Sequence, residues 1–270
     1  IRRQRQMCIR DSEYPICFPK PGWSEQNPYD WFTQSMDGLK ELLDGTDRSL
    51  VAGISFGGQM HGLVALDDKD EVIRPAILWN DGRTTKECDY LNQVIGKERL
   101  SAYTANISFT GFTAPKVLWM KNNEPENFAK IHKIMLPKDY LAFRLSGNYS
   151  TDVSDASGTL FFDVKNRCWS KEMMEICDVK EEQLPKLFES YEVTGSLTEE
   201  AAAALGLTTN CKIAAGAGDN AAAAVGTGTV GDGGCNISLG TSGTIFISSK
   251  EFGVAVSYTH LRAHETGRNL

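Results

Sequence analysis

An α/β or α+β fold built on a sheet is what this chain predicts, and three observations carry the prediction. Short apolar runs of strand length recur along it, longer stretches of helical periodicity lie between them, and neither an internal repeat nor a low-complexity linker interrupts the mixture. Taken in order, Trp23-Ser24-Glu25-Gln26-Asn27-Pro28 reads as a turn and helix start before an amphipathic run over 31–43. Residues 50–55 predict a short buried strand. Residues 63–66 and 72–79, on either side of Asp67-Asp68-Lys69-Asp70, predict a hairpin. Helical periodicity follows over 84–95, 114–121, 124–132 and 138–145, with a strand at 134–136. Two further helices, over 169–177 and 198–205, open on Ser or Thr caps. Residues 213–215 then lead as a strand into a glycine run, and strands over 236–239 and 244–248 flank a second glycine-rich loop.

With 270 residues the chain has length for one large domain or two smaller ones. A formal charge of −7 argues against nucleic acid as a main partner, and no apolar run reaches the length of a membrane-spanning helix. Seven cysteines occur without a CxxC pair and without His at zinc-ligand spacing. An odd count with no secretion pattern points to reduced thiols in a cytoplasm, most of them acting as small buried hydrophobes. No protein-built metal site is expected. The ends read differently from the middle. Residues 1–12 are basic and follow neither period, and residues 257–270 break off a good strand pattern; both are expected to be tails foreign to the fold.

The chemistry concentrates in two glycine-rich stretches. Gly216-Ala217-Gly218-Asp219-Asn220 delivers one carboxylate and one amide to the start of an alanine-rich helix. Asp219 suits a general base, because the glycines allow close approach of a substrate and helix-start amides face developing negative charge. An ordinary helix cap would use the same residues. The turn Ser238-Leu239-Gly240-Thr241-Ser242-Gly243-Thr244 offers consecutive backbone N–H groups and hydroxyls suited to phosphate oxygens, although a tight hairpin would use them as well. The pairing of the two is more specific than either and points to phosphoryl transfer from ATP to a small polar molecule. No Gly-Lys-Ser/Thr is present, so the turn is not a Walker A loop. Gln59-Met60-His61, set among glycines between two predicted strands, and Trp79-Asn80-Asp81-Gly82-Arg83 add the amide, imidazole, aromatic face and carboxylate of a polyol site. A packed loop histidine and a helix cap with a surface ion pair are the plainer readings of these two. The polar turn at Asp152, Ser154, Asp155, Ser157 and Gly158 is given no chemistry.

With these residues in place, the chain resembles the FGGY family of carbohydrate kinases. The likeness runs through Trp23-Ser24-Glu25-Gln26, Gly58-Gln59-Met60-His61-Gly62, the stretch Arg74 to Arg83, Leu136-Pro137-Lys138-Asp139-Tyr140-Leu141, Ser154-Asp155-Ala156-Ser157-Gly158-Thr159 and Gly218-Asp219-Asn220-Ala221-Ala222. The resemblance implies an actin-like (ribonuclease-H-like) α/β fold, with a sugar-side domain over 13–228 and the start of a nucleotide-side domain over 229–256. It implies that Asp219 takes the proton of the sugar's O5 hydroxyl. Met60 and His61 would contact the sugar, with Gln59, Trp79, Asp81 and Asn220 completing that wall. Gly240, Thr241, Ser242 and Gly243 would hold ATP phosphates bridged by Mg²⁺. The Gln-Met-His-Gly element points within the family to D-xylulose as the sugar. A homodimer is implied by the resemblance alone. The family opens on a strand with an Asp-Leu-Gly-Thr-type phosphate turn that is not found before Trp23, and its adenosine-binding half is not found after 243. The chain as written is therefore expected to show little kinase activity and to expose apolar sheet edge.

Overall fold

The computed structural model describes residues 9–239 and 243–254. Caps set several boundaries. The side chain of Asn27 accepts from the Tyr29 N–H and Pro28 sits at the first position of α1 (Pro28–Leu42), a pre-organised start for a helix. Before it lies β1 (Glu25–Gln26). The predicted strand over 50–55 shortens to β2 (Gly53–Ile54), because a 3₁₀ turn at Arg48–Leu50, capped by Asp47, takes its first residue. β3 (Gly57–Gly58) follows at once.

The predicted hairpin is only partly present. β4 (Val64–Leu66) and β5 (Ala76–Ile77) are bridged at Leu63–Ile77 and Leu66–Val72. Their continuous ladders go elsewhere, with β5 antiparallel to β1 and β4 antiparallel to β6 (Lys133–Met135). Distant partners complete the pairing that a local turn only begins. The helix predicted over 84–95 runs on through α2 (Thr85–Asp89), a π-helical stretch at Tyr90–Gly96 and α3 (Lys97–Thr104). α4 (Thr113–Asn123) agrees with the periodicity, whereas α5 (Pro125–Phe128) is a single turn. α6 (Pro137–Ser146) ends on Gly147 in the left-handed conformation.

β7 (Ser150–Asp152) leads into the short α7 (Val153–Ala156), and β8 (Phe162–Asp163) pairs with β9 (Cys168–Trp169). Ser170 caps α8 (Lys171–Cys177), β10 (Lys186–Phe188) lies parallel to β7, and β11 (Val193–Ser196) precedes α9 (Glu199–Leu205), which Thr198 caps. The chain closes with β12 (Lys212–Ala214), β13 (Ala217–Gly218), α10 (Asp219–Gly226) and the hairpin of β14 (Cys235–Leu239) with β15 (Gly243–Ile247). The described residues form the mixed α/β architecture that the alternation predicts.

β4 shows how the core is organised. Leu63 and Ala65 face one cluster with Ile77 and the α4 residues Val117, Leu118 and Met120; Val64 and Leu66 face another with Trp31, Tyr140 and Phe143. Side chains alternate across a strand, so a strand apolar on both faces must be covered on both. A further cluster joins α1, α6 and α9 to Ile213 of β12. Full burial of each such aliphatic side chain contributes about 1.5–3 kcal/mol. Among the described cysteines, Cys88, Cys177 and Cys211 are buried as expected, whereas Cys17, Cys168 and Cys235 are exposed.

Candidate active site

Two parallel strand pairs in succession create the site. β12 runs beside β2 with Lys212 opposite Gly53, and β13 runs beside β3 with Gly218 opposite Gly58. One residue more lies between Ile213 and Ala217 than between Ile54 and Gly57, and Gly216 sits in that longer stretch with φ +76. A β-carbon on Gly216 would lie 2.3 Å from the Phe56 carbonyl oxygen, so the step needs glycine for both conformation and space. Beyond the paired glycines the two chains diverge. One becomes Gln59-Met60-His61 and the other becomes Asp219 at the head of α10.

Absent side chains make room for this meeting. A β-carbon on Gly218 would lie 2.9 Å from Met60 Cγ; one on Gly158 would lie 2.5 Å from the His61 ring and 2.9 Å from Met60 Cε. Met60 therefore lies against Gly158 and Gly218, with His61 beside it. Gly58 and Gly62 seat the same loop on the first turn of α6, where β-carbons would strike Lys138 Cβ and Pro137 Cγ, each at 2.6 Å. The His61 Nδ1 lies 2.7 Å from the Gly158 carbonyl oxygen. A carbonyl only accepts, so Nδ1 carries the proton. The imidazole also stacks on Phe112, with ring centroids 4.7 Å apart.

Asp219 is exposed, and its Oδ1 accepts from the Asn220 N–H at 2.8 Å; Asn220 is half-buried beside it. Behind Asp219 lies a buried charged cluster. Ser154 Oγ accepts from the Gly218 N–H at 3.1 Å and donates to Asp152, whose carboxylate also accepts from the Ser154 N–H and Ser190 Oγ. Lys138 Nζ lies 2.7 Å from Asp139, 2.8 Å from Asp152 and 3.6 Å from Asp155. Burial works against the Lys138 charge, but these three carboxylates outweigh it and hold the ammonium well above its usual range. Burial pushes Asp155 well above the carboxylate range; Lys138 opposes that, while Asp139, Asp152 and Asp219 add to it. The turn given no chemistry from sequence thus lies directly behind Asp219. Asp-x-Ser-Asp beside a Lys-Asp helix start was the visible signal, and nothing local showed that the two would meet.

The remaining expected residues divide. Gln59 Nε2 donates to Gln26 Oε1 at 3.4 Å, and Trp79 is 44% exposed. Asp81 is buried, and its carboxylate is engaged by the Ser24 N–H, the Arg83 N–H and the Arg83 guanidinium. Arg83 also pairs with Glu25 at 2.7 Å and lies over the Trp23 ring at 3.8 Å. Asp81 thus belongs to an internal ion network with Arg83 and Glu25. Gly240, Thr241 and Ser242 lie outside the described residues. Gly243 pairs with Leu239, so a three-residue connection joins β14 to β15.

Residues 3–226 match the N-terminal domain of the FGGY family of carbohydrate kinases. The chain belongs to this family. It is 45% identical over 234 residues to the xylulose kinase of Escherichia coli (strain K12), covering 87% of this chain and 48% of that protein. The crystal structure of a xyloylose kinase from Brucella ovis superposes with a TM-score of 0.86 at 42% identity, covering 90% of this chain and 50% of that one. The crystal structure of gluconate kinase from Lactobacillus acidophilus gives a TM-score of 0.83 at 29% identity, covering 87% of this chain and 47% of that one. The chain spans about half the length of the curated relatives it matches. These neighbours are sugar kinases of the family whose actin-like fold the sequence implied. No helix among the described residues is long and apolar enough to cross a membrane.

Proposed function

We propose that this FGGY chain carries the sugar-side site of a kinase that transfers the γ-phosphoryl group of ATP to O5 of D-xylulose, giving D-xylulose 5-phosphate and ADP. The observation that carries the reading is the convergence of Met60 and His61 with Asp219 on the paired glycines Gly58 and Gly218. The 45% identity to a xylulose kinase supports the choice of sugar.

In this mechanism Met60, His61, Gln59, Trp79 and Asn220 bind and orient the ketose, while Asp81 supports the wall by holding Arg83 and the backbone at Ser24. The Asp219 carboxylate accepts the O5 proton as that oxygen bonds to the γ-phosphorus and the bond to ADP breaks. Ser154, through the Gly218 N–H, holds the backbone that aims this carboxylate. Residues 240–242 between β14 and β15, with Gly243 after them, fit phosphate binding in their chemistry, with two hydroxyls and two glycines. When bound, ATP supplies the phosphoryl group and Mg²⁺ neutralises the charge on its phosphates.

The test is calorimetric titration of this chain with D-xylulose, D-ribulose, gluconate and glycerol, together with ATP turnover by the complete kinase containing it. D-xylulose should bind most tightly. Asp219→Asn should leave sugar affinity within a few-fold and cut turnover by about 10²–10⁴, as expected for loss of a general base. Preference for gluconate would move the reading to a sibling kinase, and loss of sugar binding in Asp219→Asn would make Asp219 a sugar-holding residue.

A further inference from the structure

We propose that Lys116 is the positioning residue of His61, its buried ammonium tying the His61 carbonyl to the Gly111 carbonyl and thereby fixing the imidazole. The role of the imidazole in reading a sugar rests on the function proposed above; the tie itself stands on the geometry. His61 has φ +68, and the Gly62 N–H donates to the Met60 carbonyl at 2.9 Å. A three-residue turn with a positive central φ is rare and strained, and a side chain other than glycine occupies it only where its surroundings impose it.

Three residues at the start of α4 impose it. Phe112 stacks on the ring, Thr113 Oγ1 donates to the His61 carbonyl at 3.1 Å, and Lys116 Nζ donates to the same oxygen at 2.8 Å. The ammonium also donates to the Gly111 carbonyl. Gly111 in turn packs on the Trp79 backbone, where a β-carbon would lie 2.6 Å from the Trp79 carbonyl oxygen. One buried lysine therefore joins the His61 turn to the segment backing Trp79, the two parts of the expected sugar wall.

The choice of residue fits the task. Lys116 is fully buried, and its hydrogen bonds run to backbone carbonyls rather than to a carboxylate. An ammonium placed there for charge pairing would face an acid, as Lys138 does. One placed to hold two carbonyls needs several donors on a long stem, which lysine supplies.

The test compares the isotope-labelled chain with Lys116→Met, which keeps the length of the side chain and removes the donors. Folded Lys116→Met should shift the carbonyl carbons of both His61 and Gly111, and the imidazole signals with them. It should weaken D-xylulose binding by on the order of tenfold or more, while Thr113→Val gives a smaller change in the same direction. Unchanged His61 signals in the folded variant would overturn the tie, and unchanged sugar affinity with shifted signals would overturn its positioning role. If Lys116→Met does not fold, the parent chain decides. Below about pH 7, where the ammonium is present, Lys116 side-chain protons protected from exchange and in contact with His61 and Gly111 support the tie; freely exchanging ones sink it. Shifted His61 signals in a series whose parent binds no D-xylulose would leave the tie standing and remove the sugar reading.

Discussion

Lys116 makes a buried charge a variable of stability. Burial lowers its ammonium from 10.5 to about 7, with Asp81 supporting the charge and Arg83 opposing it. Between those values the unfolded chain holds the proton and the folded chain does not, so folding stability rises with pH across that window. Below about 7 both states are protonated and the folded state carries the full cost of burial. Cys177 acts in the opposite sense above its ordinary value of 9.0, because burial holds it protonated while the unfolded thiol ionises. In the interval from about 7 to 9, below the ordinary thiol range, Lys116 makes folding stability rise with pH. Urea unfolding across it should show stability climbing in the parent chain, and Lys116→Met should flatten the climb. An equal slope in both would remove the assignment.

At the scale of elements, contacts made through missing β-carbons are the most exposed to mutation. Gly158→Ala places an atom 2.5 Å from the His61 ring, so either the His61 turn or the 3₁₀ turn at Ser157–Thr159 must move. The cost should be about 1–3 kcal/mol of stability, with sugar affinity falling as His61 is displaced. Gly226→Ala, with nothing within 4 Å of the added atom, is the matched control and should be near neutral in the same unfolding and titration experiments. The same elements show what could be read from sequence and what could not. α1, α8 and α9 were legible because a capping side chain and an apolar period both lie within the helix or next to it. The hairpin over 63–79 was overread because its partners β1 and β6 lie far away in the chain. Of the site, Asp219, Met60 and His61 announced themselves through glycines. Lys116 gave no sign, and Lys138 showed only as part of a Lys-Asp helix start, since a lysine inside a helical pattern looks like a solvated face until the fold buries it.

At the scale of the whole molecule, Lys138 joins regions distant in sequence. It links the start of α6 to β7 and α7, and through Asp152 and Ser154 to the Gly218 backbone. Removing one partner of a buried ionic cluster leaves the others uncompensated. Lys138→Met should therefore cost about 3–5 kcal/mol, read as a lowered unfolding midpoint. Part of this should return in Lys138→Met combined with Asp155→Asn, because Asp155 then no longer brings a carboxylate into the cavity; full additivity of the two changes would contradict a shared cluster. The step at Gly216 carries a last consequence, one of parity. Side chains in a strand alternate like the two colours of a chequered board, and the extra residue before Ala217 puts β13 out of phase with β12 until the left-handed turn at Gly216 takes it up. Deleting a single residue between 214 and 216 would leave two residues in each connection, so plain alternation would carry β13 onto β3 in the same register without the left-handed turn. Length and conformation are thus coupled at this step: the extra residue needs a glycine to absorb it, and neither can be changed alone.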